Sequence, residues 1–308
     1  MNRSAALAGG GAVLMALAGA LAWHYRPAPA EAVAAQAPAP LQAAPGALSE
    51  QSFEELLAWR SDGQWRLVRL RGQPAVLVLE FPNLLAQGRA LNRAAALIEK
   101  GDGSRDHVPD DAALADLIAK GGDNAATYFF GHDYTATGLA RFFNLALAQQ
   151  VALNAEEQRL RAALLAAGLL AQGQGGLVSG VEPGALVTFS AVQPDDRSTP
   201  QDEGVDPARR ASVLRHELSH GRYFTDAAYR AHCAFFWRQL MSEGERQAWR
   251  AYLGAQGYDV RNEELMINEM QAFLMHTPDE RDFKAADLHW KPADLAALRD
   301  RFQLGLKP

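Results

Sequence analysis

The chain has 308 residues, of which 21% are Asp, Glu, Lys or Arg, and a formal net charge of −6. That balance lacks the basic excess that nucleic-acid binding needs, so nucleic acid is not an expected partner. Apolar residues make up 48% of the chain, enough for a substantial core, and Cys233 is the single cysteine, which excludes an intramolecular disulfide.

Asn2 and Arg3 precede an apolar run from Ala5 to Trp23, rich in Ala, Gly and Leu and about long enough to cross a bilayer. Residues 1–25 therefore read as a signal peptide, with a small-x-small cleavage pattern at Ala20, Leu21 and Ala22, or as a signal anchor that is retained. Either reading puts the rest of the chain in the periplasm or another extracytoplasmic space. If residues 5–23 stay in place, they also tether it to the inner membrane. Residues 26–47 are dominated by Ala and Pro, with Pro27, Pro29, Pro38, Pro40 and Pro45, a composition that favours an extended linker. Beyond it the sequence divides into a mixed α/β part, 48–200, and a helical part, 201–308.

Trp65–Leu70 and Ala75–Phe81 are rich in β-formers and flank the turn Arg71–Pro74, which predicts a hairpin. Asn83 is placed to cap a helix reaching about Lys100, and Asp110 a shorter one. Ala126–Phe130 reads as another strand, His132, Asp133 and Tyr134 form a polar cluster that either lines a cleft or, the favoured reading, begins a helix, and a helix follows at about Thr137–Val151. A helix over 155–172 follows Asn154, with Glu157 completing a capping box. Ala185–Val192 reads as a strand, either interior or an exposed edge able to pair with extended peptide. Residues 193–206 form a polar, acidic loop.

From Asp206 the pattern is that of a helix: Asp206 caps it, Pro207 suits its first turn, and Val213, Leu214 and Leu218 form an apolar stripe. It carries His216, Glu217, Leu218, Ser219 and His220, and Gly221 offers a stop. Residues four apart share a helix face, so the two imidazoles can converge on one metal ion with the Glu217 carboxylate beside it. A third ligand is expected from the helix Glu263–His276, capped by Asn262. There Leu265, Met266, Glu269, Ala272 and Phe273 share one face, and Glu264, Asn268 and Gln271 mark the polar one. Glu269 is thus a carboxylate on the apolar face, costly unless it is paired or bound to a cation. The competing ligand is Asp226, six residues after His220, but with Thr225 it also suits the start of the next helix. Ser242 and Glu245 form a capping box for a helix over 243–253, and a last helix spans 293–302.

Taken together, His216, Glu217 and His220, followed by Glu269 with small Ala272 three residues on, resemble the gluzincin branch of the zincin metallopeptidases. The likeness covers the last third of the chain. It implies an α+β zincin-like fold, with a small mixed sheet and the His-Glu-x-x-His helix followed by a mostly helical lobe. It further implies one zinc ion per chain on His216, His220 and Glu269, a peptide or protein substrate, and Glu217 as general base and acid. Tyr223, Tyr258 and His276 are the candidate oxyanion or cleft residues. Two other expectations stay open: a zincin-like binding protein without activity, and an amidase acting on cell-wall peptides. Residues 51–180 are either the substrate-binding half or a pro-region, and the oligomeric state is not readable.

Overall fold

The computed structural model describes residues 48–306; the expected signal segment and linker lie outside them. The order is β1 (Glu50–Gln51), α1 (Phe53–Ala58), β2 (Arg66–Leu70), β3 (Gln73–Phe81), α2 (Leu84–Ile98), α3 (Asp111–Lys120), β4 (His132–Thr135), α4 (Ala136–Ala148) and α5 (Ala155–Ala166). It continues with β5 (Leu170–Gln172), β6 (Val178–Gly180), β7 (Ala185–Ser190), α6 (Pro207–Thr225), α7 (Ala227–Phe235), α8 (Glu243–Ala255), α9 (Glu263–His276) and α10 (Pro292–Leu304). The class is α+β with a small mixed sheet. None of the described helices is long and apolar enough to cross a membrane.

Five strands pair in the order β1-β2-β3-β7-β4, and β5 and β6 form a separate hairpin. The expected hairpin is β2 and β3, antiparallel, with Gly72 turning at φ +80°; that left-handed conformation suits a residue without Cβ. β7 runs parallel to β3 and antiparallel to β4. It is therefore an interior strand, buried along its whole length, and the sheet edge falls to β4. The segment 126–130 forms turns rather than a strand, and 132–135 is a strand rather than the start of a helix. Its alternation covers four residues, too few for a periodicity to declare itself.

Strand alternation sorts the core. Leu77, Leu79, Phe81 and Leu186 face one way, into α2, α4 and α5. Val76, Val78, Val187 and Phe189 face the other way, onto Leu56, Val213 and Leu214. Residues 51–180 supply most of this sheet, so they are integral to the fold. α6 lies on the second face, held there by Arg210, which donates to Glu80 Oε1 at 2.6 Å and to the Leu56 and Leu57 carbonyls. The helix runs past Gly221 to Thr225. Gly221 is a crossing point rather than a stop, since a Cβ there would lie 2.9 Å from Val76 Cγ1 and 3.3 Å from Val187 Cγ1. Beyond α6, the helices α7 to α10 build a third core around Trp237, Trp249, Met266, Met270 and Phe302. Cys233 is buried there.

Candidate metal centre

α6 begins as its sequence dictates: the Asp206 carboxylate accepts from Arg209 N at 2.8 Å, and Pro207 sits in the first turn. One face of the helix then carries His216 and His220 towards α9, with ring centroids 4.7 Å apart. Glu269 projects from α9 to meet them. Its Oε2 lies 3.7 Å from His216 Nε2 and 3.8 Å from His220 Nε2. Ligand atoms around one tetrahedral zinc, each about 2.0–2.2 Å from it, are separated by about 3.3–3.6 Å. Both distances to Glu269 stand within a few tenths of an ångström of that spacing, and the three ligand atoms all lie within 4.8 Å of one another.

Their hydrogen bonding fits a cation. His216 Nδ1 is 2.7 Å from Thr277 Oγ1, and that hydroxyl donates onward to the Ala272 carbonyl at 3.0 Å. With its proton committed to Ala272, the hydroxyl can only accept from His216, which fixes the Nδ1–H tautomer and leaves the Nε2 lone pair facing Glu269. Both nitrogens of His220, Glu269 Oε2 and Glu217 Oε2 are buried with no hydrogen-bond partner. Such groups are costly in a native fold unless something unseen satisfies them. Two imidazole nitrogens and one carboxylate oxygen are the donor set of a catalytic zinc that keeps a position open.

Electrostatics point the same way. Burial holds His216 to about 3 and His220 to about 4, so both are neutral ligands at pH 7. Burial raises Glu269, against the pull of His220 and the Tyr258 hydroxyl. Glu217 is pushed well above the carboxylate range by burial and then by Asp133, Glu269 and Glu99. Asp133 is raised too, and Glu99 reaches about 8, by burial first and then by Glu269. A bound dication would reverse this crowding of like charge.

The ions that could have neutralised Glu269 are engaged elsewhere: Arg261 pairs with Asp259 and Arg222 with Asp226. Asp226 caps α7, accepting from Ala228 N and Tyr229 N at 3.0 Å, and does not join the histidines. Of the three candidate cleft residues only Tyr258 lines the cavity of about 660 Å³ that opens over His216 and Glu217. Tyr223 lies in the helical core and donates to Glu264 at 2.7 Å. His276 sits outside the cavity lining with Nε2 3.2 Å from the Tyr229 hydroxyl. Both were expected in the cleft because they flank the ligands in sequence, but the helical turn points them into packing. Of the residues marking the polar side of α9, only Glu264 is exposed. Asn268 and Gln271 are buried, donating to Asp133 Oδ1 and Ser219 Oγ.

Four contributors, Thr277, Glu99, Lys100 and Gly131, escaped the sequence reading, and a fifth, Asp133, stood in a cluster for which the cleft was one of two readings. Asp133 Oδ2 is 3.6 Å from His220 Nε2, and Asp133, Glu217 and His220 form a second group with ligand distances. Thr277 is the partner of His216, and Glu99 and Lys100 line the cavity. Gly131 is also part of the site, because a Cβ there would lie 2.2 Å from Glu217 Oε1. Only the alternation of Asp133 with buried His132 and Tyr134 left any trace in the sequence.

No family model, no curated protein and no solved structure matches the chain.

Proposed function

We propose that the chain is a zinc-dependent peptidase with a zincin-like catalytic arrangement, acting in the cell envelope. The observation that carries this is the convergence of His216 Nε2, His220 Nε2 and Glu269 Oε2 beside the Glu217 carboxylate, under an open cavity. Bound zinc would supply a water acidified towards neutrality and a positive charge for the carbonyl oxygen under attack.

The protein's own groups do the rest. Glu217 takes the proton from the attacking water and returns it to the leaving amine. Gly131 leaves the room in which that carboxylate sits. The Tyr258 hydroxyl is held well above its ordinary range by burial and then by Glu269, so it stays protonated and can donate to the developing oxyanion. β4 borders the cavity through Asp133, with Gly131 just before it, and no described strand lies on its outer side. An extended peptide can pair along that edge, the part that β7, paired on both sides, cannot take.

The test combines metal content with hydrolysis of a peptide library. Wild type should hold one zinc per chain and cut. Glu217→Gln should keep the zinc and lose turnover by several orders of magnitude. Glu269→Ala should lose zinc, and Asp226→Ala should keep it. Cleavage by zinc-loaded Glu217→Gln would overturn the mechanism. Zinc bound with no turnover of any peptide would leave a metal-stabilised binding protein instead.

A further inference from the structure

Lys100 lies just past the C-terminus of α2, and its backbone is fixed. It bridges Tyr258 across an isolated antiparallel pair, flanked by Gly101 N to Gly257 O at 2.9 Å and Asp259 N to Glu99 O at 3.0 Å. Its ammonium stands over three rings, 4.4 Å from the centroid of Phe129, 4.7 Å from Tyr128 and 5.6 Å from Tyr258. Lys100, Tyr128, Phe129 and Tyr258 all line the same cavity as His216 and Glu217. Tyr258 links Lys100 to Glu269, with its ring under the ammonium and its hydroxyl opposing the rise in the proton affinity of Glu269.

Such an ammonium has three donors. One goes to the Gln256 carbonyl at 2.9 Å. Lys120 pairs with Asp102, whereas no described carboxylate comes within 4.0 Å of Lys100. The other two donors have no partner among the described residues, on a cation that burial has partly stripped of water. Ring faces stabilise a cation without accepting its N–H groups in the way an oxygen does. Burial lowers its proton affinity, and nearby Glu99 and Asp123 oppose that from a distance without taking up its donors.

We propose that Lys100 determines specificity in this cleft by receiving a carboxylate of the substrate, either an acidic side chain or the free C-terminus of a peptide. The inference rests on the peptide-hydrolysis reading for its substrate class. One ammonium with two open donors matches a single carboxylate. A doubly charged phosphate would meet Glu99, Asp133 and Glu217 around the same cavity at greater cost. A neutral amide in the same place leaves the charged donors unpaired, and that difference is the discrimination.

The experiment uses the full-length, zinc-loaded protein and matched fluorogenic peptides: Glu against Gln at each position, and free against amidated C-termini. Wild type should prefer one carboxylate source by on the order of 10²-fold in kcat/KM. Lys100→Met should erase that preference and leave neutral peptides within a few-fold, while Lys100→Arg should restore part of it. A preference for Glu identifies the side-chain source, and one for the free C-terminus identifies the terminal source. Equal loss on acidic and neutral peptides in Lys100→Met would mean that Lys100 only balances charge, and the proposal falls. It falls too if wild type shows neither preference. Should wild type cut nothing, anisotropy of the same labelled peptides decides. Carboxylate-selective binding lost in Lys100→Met sustains the inference while the peptidase reading fails, and its absence ends both. If Lys100→Met does not fold, Lys100→Gln takes its place.

Discussion

At the scale of single residues, the groups that spacing could reveal are those that share a helix. His216, Glu217 and His220 are fixed relative to one another by one turn of α6, and Glu269 was visible as a carboxylate on an apolar face. Gly131 and Lys100 reach the site from elements far away in sequence and Thr277 from the C-terminal cap of α9, and nothing local marks them. Thr277 holds the His216 tautomer, so Thr277→Val, nearly equal in shape, should weaken zinc affinity about 10–100-fold. Competition with a chelating dye measures this, and unchanged affinity would refute the role. Gly131→Ala puts a methyl where Glu217 Oε1 now lies. Zinc content should stay at one per chain while turnover falls by about 10²-fold, the usual cost of misplacing a catalytic group by an ångström.

Among the elements, helix starts were more legible than helix ends, although α9 ends at His276 as read and α1, capped by Ser52, went unread. Asn83, Asp110, Asn154, Asp206, Ser242 and Asn262 all cap as their side chains suggest, because an N-cap is a local bond from a side chain to its own backbone. Gly221 misled for the opposite reason: its meaning depends on Val76 and Val187, more than thirty residues away in the chain. Gly221→Ala should raise helix propensity yet destabilise the fold by about 1–3 kcal/mol, as overpacking a tight contact does. Urea unfolding of the zinc-free protein reads this directly, and a stabilised variant would show that the crossing has slack. β4 was hidden by its brevity, and the burial of α9 by its amides, whose partners Asp133 and Ser219 lie on other elements.

On the scale of the molecule, the site concentrates opposed titrations. Glu99, Asp133, Glu217 and Glu269 have raised proton affinities, mainly through burial. Without metal, their contribution to stability is present below the unfolded values, 4.5 for the glutamates and 3.8 for Asp133, and is lost as the pH rises, for Glu99 through about 8. Burial lowers His132 and His216 to about 3 and His220 and His276 to about 4. Their contribution is present above 6.5 and is lost as the pH falls through those values. The metal-free protein should therefore be most stable at mildly acidic pH. Zinc needs ionised carboxylates and neutral imidazoles, so the rise in Tm that it gives should grow from pH 5 to pH 8. Paired melting curves with zinc and with chelator test this; a zinc effect that shrinks with rising pH would contradict it.

α6 touches two cores at once, with Val213 and Leu214 against the sheet and Tyr223 among the C-terminal helices, while Glu269 belongs to α9 in that second assembly. Under the proposed assignment, the cation is a clasp between halves that fold on separate apolar centres. Whatever opens the clasp exposes Ser219, Gln271 and their neighbours along the α6–α9 seam, and cellular degradation follows the population of such open forms. The lifetime of the polypeptide then becomes a gauge of metal supply: a starved cell would clear the chain by turnover, before any question of its catalytic output arose.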